Sequence, residues 1–178
     1  MNPEKKSNIF LIGYRCTGKT TVGRRLAVLT GRPFVDTDER FTEQYGTIAD
    51  FVGGNGWEVF RDRETAILDT VCRNIASVVA TGGGIVLRPA NVALMKKRGL
   101  VVWLKASRET ISHRMAADPA SPESRPGLTD FPLQMEIEKT LTERAPLYEK
   151  AMDIRIDTEG MTVEEICRRV IAATEGKG

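Results

Sequence analysis

One segment near the start of the chain constrains the fold more than any other. It reads Gly13-Tyr14-Arg15-Cys16-Thr17-Gly18-Lys19-Thr20 and matches the pattern G-x-x-x-x-G-K-[ST]. A short apolar run that predicts a buried strand precedes it, and residues with helical spacing follow it. A strand, a loop of this spacing and a helix together form a phosphate-binding loop, or P-loop. The sequence therefore predicts an α/β fold with a nucleotide-phosphate site at the end of its first strand.

The chemistry of this loop explains its residue types. Backbone N–H groups of the loop and of the following helix point at anionic oxygens. Lys19 reaches the β and γ phosphates, and the hydroxyl of Thr20 is a ligand for Mg²⁺. The predicted nucleotide contacts in this region are Gly13, Cys16, Thr17, Gly18, Lys19, Thr20 and Thr21.

Strand-like apolar runs alternate with helix-length connections along the rest of the chain. The predicted strands cover residues 8–12, 33–37, 77–81, 100–105 and 153–157. Alternation of this kind indicates a mostly parallel sheet, because parallel strands need long crossover connections. The last helix is expected to begin with a capping box formed by Thr162 and Glu165. The 178 residues match the size of one domain, and we expect a monomer.

Charge and cysteine content exclude several classes of protein. The chain has 26 Lys and Arg against 24 Asp and Glu, and the two signs are interspersed, so no nucleic-acid partner is indicated. Residues 1–8 are polar and the next apolar run is short, so we expect no membrane partner and a cytoplasmic location. The three cysteines are widely spaced and predict neither a disulfide framework nor a zinc site.

Acidic residues close the second predicted strand rather than the third. Asp36 and Asp38 lie at its carboxyl end, where ligands bind in open α/β sheets, and strand alternation places them on one side. The third strand ends in Thr81 instead, and no N-K-x-D motif is present, which disfavours a GTPase or a motor ATPase. The carboxylates could serve Mg²⁺ and hold or deprotonate a hydroxyl nucleophile. The alternative is a polar strand end followed by a helix cap.

Three further features are ambiguous when each is taken alone. Gly82-Gly83-Gly84 allows close backbone approach to a ligand, or forms an ordinary tight turn. Arg61 and Glu64 share one helix face, where a surface ion pair is the alternative. Arg144 is either a ligand-binding group or a solvated helix charge.

The segment 117–132 is rich in proline, so no helix runs through it. A long irregular segment in so small a domain is either a lid or a disordered insertion. We predict a mobile lid around residues 115–132.

These motifs, in this order and spacing, resemble the shikimate kinase family from about Asn8 to the final helix. Arg125-Pro126 and Arg144-Ala145-Pro146-Leu147-Tyr148 complete the resemblance. It implies a three-layer P-loop fold, with a five-stranded parallel sheet between helices, in a single domain covering residues 1–178. It also implies transfer of the γ-phosphoryl group of ATP to the 3-hydroxyl of shikimate, with Mg²⁺ as cofactor.

The resemblance also implies roles for individual residues. Asp38 would hold the shikimate hydroxyls and take the proton of the attacking one, while Asp36 would lie near Mg²⁺. Arg61 and Arg144, beside Gly82, Gly83 and Gly84, would bind the substrate carboxylate, and Glu64 would orient Arg61. Residues 38–64 would form a substrate-binding helical segment.

Two arginines would complete the nucleotide site. Arg125 would close over the ATP phosphates from the lid, and Arg114 would pack on adenine. Lys19, Asp38 and Arg125 are then the candidates for chemistry. One departure concerns Cys16, because many family members have glycine at that position. The alternatives are a kinase of another small hydroxy acid such as gluconate, and a nucleotide-binding regulatory module without catalytic activity.

Overall fold

The computed structural model describes residues 7–73, 76–117 and 132–175. Five parallel strands form one sheet in the order β2-β3-β1-β4-β5. They are β1 (Asn8–Ile12), β2 (Phe34–Asp36), β3 (Val78–Ala80), β4 (Gly99–Lys105) and β5 (Ile154–Asp157). All five strands were predicted from the sequence, and their observed ends differ from the predicted ones by at most one residue.

Helices connect the strands and pack on the sheet. They are α1 (Lys19–Thr30), α2 (Thr37–Tyr45), α3 (Ile48–Arg73), α4 (Pro89–Arg98), α5 (Arg108–Ala117), α6 (Leu133–Ala151) and α7 (Val163–Glu175), and a short 3-10 turn covers Ile85–Leu87. Helix α3 is interrupted at Gly56, whose φ of 82° and ψ of 165° suit glycine but not a residue with a side chain. Helices α2 and α3 contain all of the segment 38–64 except residues 46 and 47.

Alternate residues of β1 belong to two different hydrophobic cores. Phe10 and Ile12 belong to the core beneath α3, α4 and α6, whereas Ile9 and Leu11 belong to the core beneath α1 and α7. Because β1 is central and covered on both faces, it reads as a continuous apolar run. The predicted fold, with helices on both faces of a parallel sheet, is confirmed.

The sheet topology brings together the three segments that follow β1, β2 and β3. Strand β3 lies between β1 and β2, and all three run in the same direction. Their carboxyl ends therefore meet at one sheet edge, where the P-loop follows β1, α2 follows β2 and the glycine triplet follows β3.

The final helix starts as the sequence predicts. The Thr162 N–H and hydroxyl groups donate hydrogen bonds to Glu165 Oε2 at 2.7 and 2.8 Å, and the Glu165 N–H donates to Thr162 Oγ1 at 3.3 Å. These reciprocal bonds form the predicted capping box.

Two further sequence predictions concern the lid and association with a membrane. Most of the segment 115–132, and Arg125 with it, lies outside them, so the lid stays a prediction. Within the described parts of the chain, no helix has the length and apolar character needed to cross a bilayer.

Candidate active site

The P-loop holds the ammonium group of Lys19 close to its own backbone. Lys19 Nζ donates hydrogen bonds to the carbonyl oxygens of Gly13 at 2.9 Å and Tyr14 at 2.8 Å. Gly13 adopts a φ of 143°, and a Cβ there would lie 2.4 Å from the carbonyl oxygen of Leu104, so the position requires glycine. The cation is thus placed beside the N-terminus of α1, where backbone N–H groups attract anions.

Cys16 lies at the turn of this loop with a φ of 59°. Its carbonyl oxygen accepts a hydrogen bond from Arg114 Nη1 at 3.1 Å, which places the α5 arginine against the phosphate loop. Thr17 Oγ1 donates to the Tyr14 carbonyl at 2.8 Å and stabilises the loop from inside. Thr21, by contrast, lies on an exposed face of α1.

Thr20 and Asp36 connect the P-loop to the end of β2. Thr20 Oγ1 donates to Asp36 Oδ2 at 2.7 Å, and Asp36 Oδ1 accepts from the backbone N–H groups of Asp38 and Glu39 at 3.0 and 3.4 Å. Asp36 therefore caps α2 and orients the threonine hydroxyl at the same time. Because the hydroxyl group donates its proton to Asp36, its oxygen atom presents lone pairs that can bind a cation.

This arrangement fits Mg²⁺. Mg²⁺ prefers oxygen ligands and usually combines one or two protein groups with water and substrate phosphates. A hydroxyl and a carboxylate beside a phosphate loop supply that donor set. Thr20 and Asp36 are therefore the candidate ligands for the metal.

The end of β2 corrects one detail of the sequence analysis. The predicted strand ran to residue 37, but β2 ends at Asp36 because the Asp36 side chain caps the helix that begins at Thr37. Strand alternation therefore does not govern Asp38, which lies in the first turn of α2. Asp36 faces the P-loop, and Asp38 faces the glycine triplet.

A pocket opens beside the P-loop at this sheet edge. It is lined by Tyr14 and Arg15 of the loop, Asp38 of α2, Ile48, Trp57, Phe60, Arg61 and Glu64 of α3, the three glycines 82–84, and Arg144 of α6. Guanidinium and carboxylate groups thus line a cavity that also has aromatic walls. Such a cavity suits a small anionic ligand that carries hydroxyl groups.

Arg61 and Glu64 form a buried ion pair on α3. Arg61 Nη1 lies 2.6 Å from Glu64 Oε2, and the two residues are 8% and 3% exposed. Burial raises the pKa of the Glu64 carboxyl, and the positive charge of Arg61 opposes that shift. A Cβ at Gly84 would lie 2.2 Å from Arg61 Nη2, so the glycine admits the guanidinium. The spacing predicted this pair, but the alternative of a surface location is wrong.

Gly82 separates two carboxylates. A Cβ at this position would lie 2.7 Å from both Asp38 Oδ1 and Glu64 Oε1, so only glycine leaves the space between them open. Glu64 Oε1 is buried and has no hydrogen-bond partner within the described structure. These oxygens can accept hydrogen bonds from the hydroxyl groups of a ligand.

Gly83 is held by α6. Its carbonyl oxygen accepts hydrogen bonds from Arg144 Nη1 at 3.2 Å and from the Tyr148 hydroxyl at 2.6 Å. Burial raises the pKa of Tyr148 to about 12, so the phenol keeps its proton and remains a donor. Arg144 and Arg61 thus line one pocket, and their binding of a carboxylate stays a prediction.

Sequence reasoning missed two charged residues near the pocket. Arg15 of the P-loop forms an ion pair with Glu136 in the first turn of α6, and both are buried. Glu136, Thr140, Arg144 and Tyr148 recur every four residues and so lie along one side of α6. That four-residue spacing is the sequence signal that could have identified Glu136. Arg15 stands at an unspecified position of the P-loop pattern, so the sequence gave no signal for it.

The structure therefore gathers the predicted residues in two adjoining groups. Lys19, Thr20 and Asp36 form the first, at the P-loop. The second lines the pocket and contains Asp38, Arg61, Glu64, Gly82, Gly83, Gly84 and Arg144. Arg114 contacts the P-loop from α5.

Comparison with known proteins identifies the family. The family model for shikimate kinase matches residues 15–175. Shikimate kinase from Syntrophus aciditrophicus is 40% identical over 173 residues, covering 92% of this chain and 89% of the relative. The structure of shikimate kinase from Acinetobacter baumannii in complex with shikimate matches with a TM-score of 0.90 and 32% identity, over 98% of this chain and 96% of that one.

A more distant likeness concerns the fold alone. A gluconokinase from Sinorhizobium meliloti has a TM-score of 0.56 and 17% identity, over 95% of this chain and 91% of the other. The motifs, the pocket and the full-length relatives agree with one another, and this chain belongs to the shikimate kinase family.

Proposed function

We propose that this enzyme transfers the γ-phosphoryl group of ATP to the 3-hydroxyl of shikimate, giving shikimate 3-phosphate and ADP. The observation that carries the proposal is the position of the pocket. Carboxylate and guanidinium groups line it directly beside the P-loop, so a phosphate donor and an anionic polyol can meet there.

Arg61 and Arg144 bind the carboxylate of the acceptor. Guanidinium groups offer paired N–H donors that match the two oxygens of a carboxylate. The Glu64 ion pair fixes the direction of the Arg61 fork, and the bond to the Gly83 carbonyl orients Arg144. The acceptor is thereby held with its hydroxyl groups toward Asp38.

Asp38 holds the 3-hydroxyl group and accepts its proton. The hydroxyl oxygen forms a bond to the γ-phosphorus while the bond from that phosphorus to the β–γ bridging oxygen breaks. The proton moves to the Asp38 carboxylate, and ADP leaves with the bonding electron pair. Phosphoryl transfer depends mostly on positioning and charge neutralisation, which fits a site built from fixed cations and one base.

The nucleotide is held from several elements. Lys19 binds the β and γ phosphates, the N–H groups of Gly13, Cys16, Thr17, Gly18, Thr20 and Thr21 surround them, and Arg114 packs on adenine. Arg125, on a lid over 115–132, neutralises charge on the transferred group. Thr20 and Asp36 would hold Mg²⁺, which would neutralise phosphate charge.

P-loop and acceptor groups of one protomer line the pocket, so a monomer with a single domain over residues 1–178 can carry out this reaction. Because ATP is the co-substrate, we place the enzyme in the cytoplasm.

The test is release of ADP from MgATP in separate reactions with shikimate, quinate, gluconate, AMP or no acceptor. We expect turnover with shikimate only, and none from a Lys19→Met variant used as the control. Turnover with gluconate instead of shikimate would contradict the acceptor assignment. No turnover with any acceptor would favour a regulatory nucleotide-binding module.

A further inference from the structure

A second buried ion pair lies outside the roles assigned above. Arg15 Nη2 contacts Glu136 Oε1, and the two residues are 8% and 3% exposed. Removing two charges from water costs much of what their attraction returns, so such a pair is weak evidence for stability alone. Its position is more informative, because it joins the P-loop to the helix that carries Arg144.

At the loop end, Arg15 is linked to the phosphate-binding lysine through one peptide group. The carbonyl of that peptide belongs to Tyr14 and accepts hydrogen bonds from Lys19 Nζ and Thr17 Oγ1, both at 2.8 Å. The N–H of the same planar unit belongs to Arg15. A phosphate that attracted the ammonium group of Lys19 would change the hydrogen bonds of this peptide and would therefore act on the position of Arg15.

At the helix end, Glu136 is connected to the acceptor pocket through α6. Arg144 lies eight positions further along this helix, a rise of about 12 Å, and Pro146 comes only after it. Arg144 and Tyr148 then hold the Gly83 carbonyl, at 3.2 and 2.6 Å. A shift of the first turn of α6 thus reaches the groups that bind the acceptor carboxylate.

We propose that the Arg15–Glu136 ion pair couples the nucleotide half of the site to the acceptor half, so that each ligand strengthens binding of the other. The contacts form one continuous series, from Lys19 through Tyr14 and Arg15 to Glu136 and Arg144. Arg15 and Glu136 act as positioning residues in this series. The inference rests on the proposed function for the identity of the two ligands.

Coupling between two ligands is measurable and reciprocal. If MgADP lowers the dissociation constant of the acceptor by some factor, the acceptor lowers that of MgADP by the same factor. Typical factors lie between about 5 and 150. The use of MgADP avoids turnover, so calorimetric titration gives both constants at equilibrium.

The experiment compares three proteins by titration of shikimate with and without saturating MgADP. We expect the wild-type protein to show a coupling factor of at least about 5. Glu136→Gln should reduce the factor to near 1. Glu138→Gln serves as the matched control, because Glu138 lies on the same helix but forms an exposed ion pair with Arg108 at 3.0 Å, and its factor should equal that of the wild type.

A second variant separates coupling from folding. Glu136→Gln leaves the buried Arg15 charge without its partner, which destabilises the fold. Replacing both residues, Arg15→Met with Glu136→Met, removes both charges and should leave the melting temperature close to that of the wild type. The coupling factor of this double variant should nevertheless be near 1, and Glu136→Asp, which keeps the charge, should restore part of it.

Two results would overturn the proposal. One is a wild-type protein in which MgADP leaves acceptor affinity unchanged, and the other is a folded double variant with the wild-type coupling factor. Failure of the proposed function is distinguishable, because it appears as absence of shikimate turnover in the acceptor panel. The titrations are then run with the acceptor that does turn over, and the coupling is judged with that ligand.

Discussion

Arg61 and Glu64 form an ion pair that is almost fully buried, whereas Arg73 and Asp69 form a similar pair on the exposed side of the same helix. The shortest distances are 2.6 and 2.7 Å, yet the side chain of Glu64 is 3% exposed and that of Asp69 is 50% exposed. In each pair the two residues lie about one helical turn apart, at i,i+3 for Arg61 and Glu64 and at i,i+4 for Asp69 and Arg73. The pairs differ most in their burial, so they form a comparison within α3.

Replacing one partner should affect these two pairs very differently. Glu64→Gln leaves the buried guanidinium of Arg61 without a counter-charge, and we expect unfolding to become easier by about 3–5 kcal/mol. Asp69→Asn should cost less than about 1 kcal/mol, because solvent screens an exposed pair. Urea unfolding of both variants measures the difference. Equal losses of stability would show that burial of the Arg61 pair contributes nothing.

Asp38→Asn tests the proposed base. The variant keeps a polar group of the same shape but cannot accept the proton, so kcat should fall by roughly 10²–10⁴ while the KM for shikimate changes little. Asp62→Asn is the control, because Asp62 pairs with Arg88 on the exposed side of α3. Steady-state kinetics decide the matter. Turnover of Asp38→Asn near the wild-type rate would exclude Asp38 as the proton acceptor.

Arg144→Ala tests the carboxylate site. Loss of a charge-assisted hydrogen bond costs roughly 1.5–3 kcal/mol, which corresponds to a roughly 10- to 150-fold higher KM for shikimate. The KM for ATP should change little, since Arg144 lines the acceptor pocket. Arg144→Lys keeps the charge without the planar fork and should recover only part of the affinity. An unchanged shikimate KM in Arg144→Ala would refute the assigned role.

Local patterns in the sequence account for the fold and for the phosphate loop. Alternation of strand-like and helical segments predicted the parallel sheet, because each pattern depends only on neighbouring residues. The burial of Arg61 was not predictable in this way, since it depends on the close approach of Gly84 from another element. The Arg15–Glu136 pair joins residues 121 positions apart, and no local pattern reports such a contact.

Ionisation of Tyr148 should make the free energy of unfolding decrease at alkaline pH. Burial raises its pKa in the folded state from the ordinary value of 10 to about 12, so the unfolded chain loses this proton first as pH rises. The contribution is therefore complete below pH 10 and decreases between pH 10 and 12. A Tyr148→Phe variant has no hydroxyl group to ionise.

The stability of Tyr148→Phe should therefore not show the decrease between pH 10 and 12 that ionisation of Tyr148 causes. Below pH 10 the variant should be about 1 kcal/mol less stable than the wild type, because the Gly83 carbonyl loses a hydrogen-bond donor. Urea unfolding of both proteins across this range measures the two effects, and identical pH profiles would contradict the assignment.

Cys16 differs from the other two cysteines in its surroundings. Cys72 and Cys167 are buried in the hydrophobic cores, and burial raises the pKa of Cys72 to about 11 and also raises that of Cys167. Cys16 is partly exposed in the P-loop, beside the N-terminus of α1. Because alkylation requires an accessible thiolate, the reagent should select Cys16.

We therefore expect iodoacetamide to inactivate the enzyme by labelling Cys16, and MgATP to protect it because the phosphates occupy the same loop. Cys16→Gly is the informative variant, since glycine adopts the left-handed φ of 59° without strain and should leave the loop intact. The variant should remain active and resist the reagent, while Cys72→Ala should be inactivated as fast as the wild type. Mass spectrometry of the labelled protein identifies the site. Inactivation of Cys16→Gly at the wild-type rate would show that modification of another residue causes the loss of activity.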